Sequence, residues 1–212
     1  MKRLNRKGVT LIELLVGLVI CGMVAGGIYQ TFIAQSKSYT VQDQVTEVQQ
    51  SVRSAMEILL RDLRMAGYDN DNLLSTITIN SPIANLSDSA ITVNYEYYDK
   101  TLAAYQKHTV VYWRDGGSSS LIRQLTVNDV ATPQETLLDN VENLNFTYGV
   151  DVNEDGALEN WVPADSIKTS KVVAVRVTLT ARPVQINPDQ KKMISPRTLV
   201  SNVTLRNLCM IR

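Results

Sequence analysis

The chain has 212 residues, 44% of them hydrophobic, and its 21 basic and 21 acidic residues cancel. That is room for one ordinary domain with an extended element and too little for two full domains. No basic patch with interleaved aromatics is present, so the usual nucleic-acid footprint is missing, and a single histidine with two separated cysteines cannot build the common zinc sites.

In chain order, the first feature is a basic leader of Lys2, Arg3, Arg6 and Lys7; a chain without it would be mildly acidic. Next comes "KGVTLIELLVGLVICGMVAGG", and from Val9 to Ser36 the only charged residue is Glu13. About 20 apolar residues suffice to span a bilayer as a helix. Basic residues ahead of the span predict a cytoplasmic N-terminus with the remainder exported. A secretory signal peptide would have a shorter apolar core, and a plain anchor gives Glu13 no purpose. An ionisable group at membrane depth is costly and usually functional.

The helix is expected to continue. Val41, Val45, Val48, Val52, Ala55 or Met56, Leu59 and Leu63 recur at spacings of three and four, and Gln42, Asp43, Gln44, Glu47, Gln49, Gln50 and Arg53 form a polar face. No proline falls between Val9 and Ala66, and Gly67 is placed to end the helix in a left-handed cap, with Tyr68 packing back on the last turn. At about 1.5 Å per residue the element would measure roughly 85 Å, with Gly22 and Gly26–Gly27 as the places to bend.

Beyond Gly67 the period becomes two. Ile91, Val93, Tyr95 and Tyr97 alternate with polar neighbours, as do Val173, Val175, Val177 and Leu179, which reads as half-buried strands. Thr76–Asn80, Thr109–Arg114, Leu121–Leu125, Val141–Tyr148 and Thr198–Leu205 are weaker strand candidates, and "RDGGSSS" at Arg114–Ser120 is a hairpin connection. The expected fold is α+β, the amphipathic half of a long N-terminal helix packed on an antiparallel β-sheet. The divisions are a leader over 1–8, a transmembrane and assembly helix over 9–36, its amphipathic continuation over 37–67, and a β-rich domain over 68–212.

"DVNEDGALEN" places Asp151, Asn153 and Asp155 at alternating positions before Gly156, the first half of a calcium loop of the EF-hand type. Ala157 would add its carbonyl and Glu159 a carboxylate, directly or through water. Position twelve is Val162, so the bidentate Glu is missing. The other reading is an Asx-rich turn that needs no ion. Cys21 reads as a small buried thiol, Cys209 as an unpaired one. His108 reads as a sheet residue. With no P-loop, nucleophile elbow or dinucleotide fingerprint, an enzyme is not expected.

"RKGVTLIELLVGLVI" closely resembles the processing signal of type IV prepilins and pseudopilins. Together with "LRMAGYD", "YGVDVNEDG" and "TLVSNVTLRN", it resembles the PilW group of minor pilins. The resemblance implies cleavage after Gly8 by a prepilin peptidase, N-methylation of the new N-terminal residue Val9 (which stands where the family has Phe), and an assembly role for Glu13. It implies a minor pilin that primes, assembles or caps a type IV pilus, held in membrane lipid before assembly. Its place would be the bacterial inner membrane, with the C-terminal domain in the periplasm and later on the pilus. Its partners would be other minor and major pilins and the inner-membrane assembly platform, with no nucleic acid. A type II secretion pseudopilin of the J type is the nearest alternative. A membrane-anchored calcium-binding module that never polymerises is another, of a different class.

Overall fold

The computed structural model describes residues 8–69, 75–167, 171–183 and 195–209. The leader side chains Lys2, Arg3, Arg6 and Lys7 lie outside them. The chain divides into two units, one through Asp43 and one from Gln44 onward, taken separately below.

The first unit carries the opening stretch of one uninterrupted helix, α1 (Leu11–Met65). Every residue from 8 to 40 is exposed, and the segment is apolar and long enough to cross a membrane. Cys21 is therefore exposed rather than buried among the described residues.

In the second unit the same helix buries Val48, Val52, Ala55, Met56, Leu59, Leu60, Asp62 and Leu63. Leu59 and Leu63, at i and i+4 on one face, are completely covered, each worth roughly 1.5–3 kcal/mol of apolar burial. The helix stops where the sequence predicts. Gly67 is left-handed at φ +70°, and the Tyr68 N–H donates to the Met65 carbonyl at 2.8 Å. The Gly67 N–H itself donates to the Asn94 carbonyl at 2.9 Å, tying the helix end to a strand.

Two antiparallel sheets form, where the sequence suggested one. The six-stranded sheet contains β1 (Ile83–Ala84), β2 (Ala90–Asp99), β3 (Ala104–Asp115), β4 (Ser120–Val127) and β5 (Val130–Ala131) in that order, with β6 (Glu135–Leu138) also on β4. The four-stranded sheet has β10 (Arg197–Thr204), β9 (Lys171–Ala181), β7 (Val141–Asp151) and β8 (Asn160–Val162) side by side. A 3-10 turn, Ala164–Ser166, precedes β9, and a short helix, α2 (Arg206–Cys209), closes the described chain. The Arg114–Ser120 connection is the β3–β4 hairpin.

In β9 Val173, Val175, Val177 and Leu179 are all buried; the alternation holds against half-buried Arg176, Thr178 and Thr180 and fails at Ala174, which is buried as well. In β2 Ile91, Val93 and Tyr95 are buried as expected, Tyr97 is exposed, and Thr92 and Glu96 on the other face are buried too. Thr76–Asn80 is not a strand. The edge of β2 it would have joined is already engaged: Ile83 and Ala84 pair with Val93 and Thr92, the Asn94 N–H donates to the Pro82 carbonyl at 2.8 Å, and the Glu96 N–H donates to the Tyr68 carbonyl at 2.8 Å. Side chains of α1 and of both sheets share one core, which includes Leu59, Tyr112, Phe146 and Val177.

Candidate functional site

The N-terminal site is built by the first turn of α1. Glu13 Oε2 accepts from the Thr10 backbone N–H at 2.9 Å and from Thr10 Oγ1 at 2.9 Å, while the Glu13 N–H donates to Thr10 Oγ1 at 3.3 Å. Thr10 is thus the N-cap and Glu13 the third helical residue of a reciprocal capping box, which satisfies donors that every helix start leaves open. Sequence reasoning assigned Glu13 an assembly role and missed its second job, although Thr-x-x-Glu before an apolar run is the signal for it. Gly8 and Val9 precede the helix and are exposed, open to a processing enzyme. Glu13 Oε1 is left free of Thr10.

The aspartate loop links β7 to β8. Asp151 is 1% exposed. Its Oδ2 accepts from the Gly156 N–H at 2.7 Å, and its Oδ1 is buried without a hydrogen-bond partner. Lys171 stands opposite it in the β7–β9 ladder, yet among the described residues no cation lies within ion-pairing distance of the carboxylate. Asn153 Oδ1 accepts from the Asp155 N–H at 3.1 Å, and Asp155 Oδ1 from the Ala157 N–H at 2.7 Å. Asp155 Oδ2 accepts from Asn153 Nδ2 at 3.2 Å, and Glu159 Oε2 from the Val152 N–H at 2.6 Å. Glu154 and Gly156 are left-handed, at φ 62° and 84°. Gly156 is required twice over, since a Cβ there would come within 2.9 Å of the Cys209 carbonyl oxygen. The structure brings all five sequence-selected residues into one turn, with Asn153, Asp155, Ala157 and Glu159 exposed and Asp151 buried. Among the described residues, no three His, Cys, Asp or Glu side chains converge in a metal-holding group.

A third polar cluster escaped the sequence reading. Asp62, 2% exposed, accepts from Tyr112 Oη at 2.6 Å and from Arg123 Nε at 3.0 Å, both on Oδ2. Arg123 reaches on through Nη1 to Glu135 at 3.0 Å. Burial, then the Asp62 charge, raises the Tyr112 pKa far above the usual tyrosine range; the same two causes push Tyr95 up to about 12. Asp62 lies three residues after Leu59 and seven after Ala55, on the inner face, and that placement was the available signal. The cluster joins α1 to β3, β4 and β6. It has the form of a structural clamp. Cys209 is free and half-buried, its Sγ 3.7 Å from the Val173 carbonyl.

A long helix that starts with the Thr10–Glu13 turn and packs, in its second half, on antiparallel sheets is a pilin-like architecture. Two protein-family models match the chain and make the class more particular. The prokaryotic N-terminal methylation motif covers residues 3–29, and type IV pilus-assembly protein W, PilW, covers residues 108–207. The resemblance to PilW thus covers residues 108–207, and the first stretch carries the methylation motif. No curated protein matches the chain.

Proposed function

We propose that this protein is a minor pilin, processed after Gly8 by a prepilin peptidase so that Val9 becomes the methylated N-terminal residue. The apolar helix then holds it in the bacterial inner membrane with the sheets on the periplasmic side. From there it joins other minor and major pilins on the assembly platform to prime, assemble or cap a type IV pilus. One observation carries the reading: a helix whose apolar first stretch, through residue 40, is exposed among the described residues begins inside the methylation motif, in the same chain as the PilW match. A subunit of a helical filament needs such an uncovered face.

Cleavage would free a cationic amine on Val9, and neither that ammonium nor the Glu13 carboxylate is stable alone in hydrocarbon. Pairing the carboxylate of an incoming subunit with the ammonium of its neighbour offsets the desolvation and sets the axial register between helices. The capping box sharpens the test, because glutamine can also occupy its third position. Glu13→Gln keeps the cap and removes the charge, whereas Glu13→Ala removes both.

In a deletion strain, surface pili should disappear while exoprotein secretion continues, and the wild-type gene should restore them. Both Glu13 variants should still be cleaved and still fail to restore pili. Full rescue by Glu13→Gln would leave Glu13 a helix cap and end the charge-pairing argument. Intact pili with lost secretion would move the protein to the type II secretion pseudopilins.

A further inference from the structure

We propose that the Asp151–Glu159 loop binds one hard divalent cation, calcium, independently of the pilus reading. A carboxylate oxygen removed from water and given no donor is unfavourable, and Asp151 Oδ1 is such an atom, in a residue 1% exposed. Its sister oxygen is 2.7 Å from the Gly156 N–H, which aims the carboxylate across the turn, and no described lysine or arginine pairs with it. An ordered water or a cation can fill that place, and the donors of the loop favour the cation. The candidate donors the same loop offers are all oxygen: the Asn153 amide oxygen, the Asp155 carboxylate, the Ala157 carbonyl and the exposed Glu159 carboxylate. Oxygen donors with net negative charge select calcium or magnesium over softer metals. A flexible exposed rim suits the larger, less demanding ion better than magnesium, which requires a near-ideal octahedron.

Hydrogen bonds already made by Asn153 and Asp155 do not compete with this use. A carboxylate or amide oxygen has two lone pairs, and donation from a backbone N–H occupies one. Glu159 Oε2 holds the Val152 N–H, so it takes part through Oε1 or through water. No side chain replaces the missing carboxylate at Val162, and the affinity should accordingly fall toward the weak end of the calcium-loop range, about 10⁻⁴–10⁻³ M. The turn also carries the C-terminal segment, since Gly156 abuts the Cys209 carbonyl. A cation that fixes the turn therefore also fixes the seat of α2.

The test is calorimetric titration of calcium chloride into the metal-stripped full chain in detergent micelles, with terbium luminescence sensitised by nearby Trp161 as a second readout. The expected result is one ion per chain, with terbium displaced by calcium. Asp155→Asn, at an exposed position that leaves the core untouched, should weaken binding by about tenfold or more. Asp129→Asn, an exposed acid in the β4–β5 turn, should leave it unchanged. Asp151→Asn should abolish binding, and if that variant fails to fold, Asp155→Asn alone decides. No calcium-dependent heat, or equal affinity in wild type and Asp155→Asn, would overturn the proposal and leave an Asx turn that needs no ion.

Discussion

At Asp62 a carboxylate sits among Leu59, Leu63 and the sheet residues, held by Tyr112 and Arg123. A buried ion pair of this kind adds little net stability against a well-packed apolar substitute, but removing one partner strands the other. Asp62→Ala should therefore destabilise the fold by about 3–5 kcal/mol, read from urea unfolding of the detergent-solubilised chain by tryptophan fluorescence. Replacing Asp62, Tyr112 and Arg123 together by apolar residues should cost far less than that single change. His108 makes a second residue-scale prediction. It lies between the rings of Tyr95 and Tyr97, at centroid distances of 5.4 and 4.9 Å, with Nε2 buried and unpartnered. Burial first, and the Arg123 charge second, lower its pKa, against opposing pulls from Asp62 and Asp99. The fold therefore prefers the neutral ring. The stability this gives is complete above the unfolded pKa of about 6.5 and is lost as pH falls through it toward the depressed native value. The melting temperature should drop between pH 7 and pH 5, and His108→Phe should flatten that slope.

The long helix was legible because its signal is local: a charge-poor run, then a stripe at spacings of three and four, then Gly67. Gly67→Ala should test the stop directly. It places a side chain at φ +70°, with Leu208 at 2.9 Å and Pro82 at 3.0 Å from the new Cβ, and should cost about 1–3 kcal/mol, or several degrees of melting temperature. Leu59→Ala, by contrast, leaves a cavity and should cost about 2–5 kcal/mol. Strands were legible where alternation ran long, as in β2 and β9. The division into two sheets was not, because pairing is decided between distant segments. β5 and β8 are too short to show any period. Thr76–Asn80 has strand composition, but the helix end and β1 occupy the edge it would need. At the candidate sites the residues of the aspartate loop were legible from their spacing. The burial of Asp151 was not, because it depends on the sheet and C-terminal turn around it.

For the whole molecule, the methylation motif spans residues 3–29 and the PilW match residues 108–207, and α1 begins inside the first and ends before the second. The prediction at this scale is the paired outcome for Glu13: cleaved precursor and missing pili in both variants, read by immunoblot and by counting filaments. A mechanical consequence follows from the helix as well. Within the second unit, a load along the axis of α1 falls on the buried segment from Val48 to Leu63. There it meets lateral side-chain contacts and the Asp62 clamp, all loaded in shear. Contacts sheared together yield together, whereas contacts peeled from one end yield in turn, so this segment should resist a pull along its own axis better than one that lifts it from the sheets.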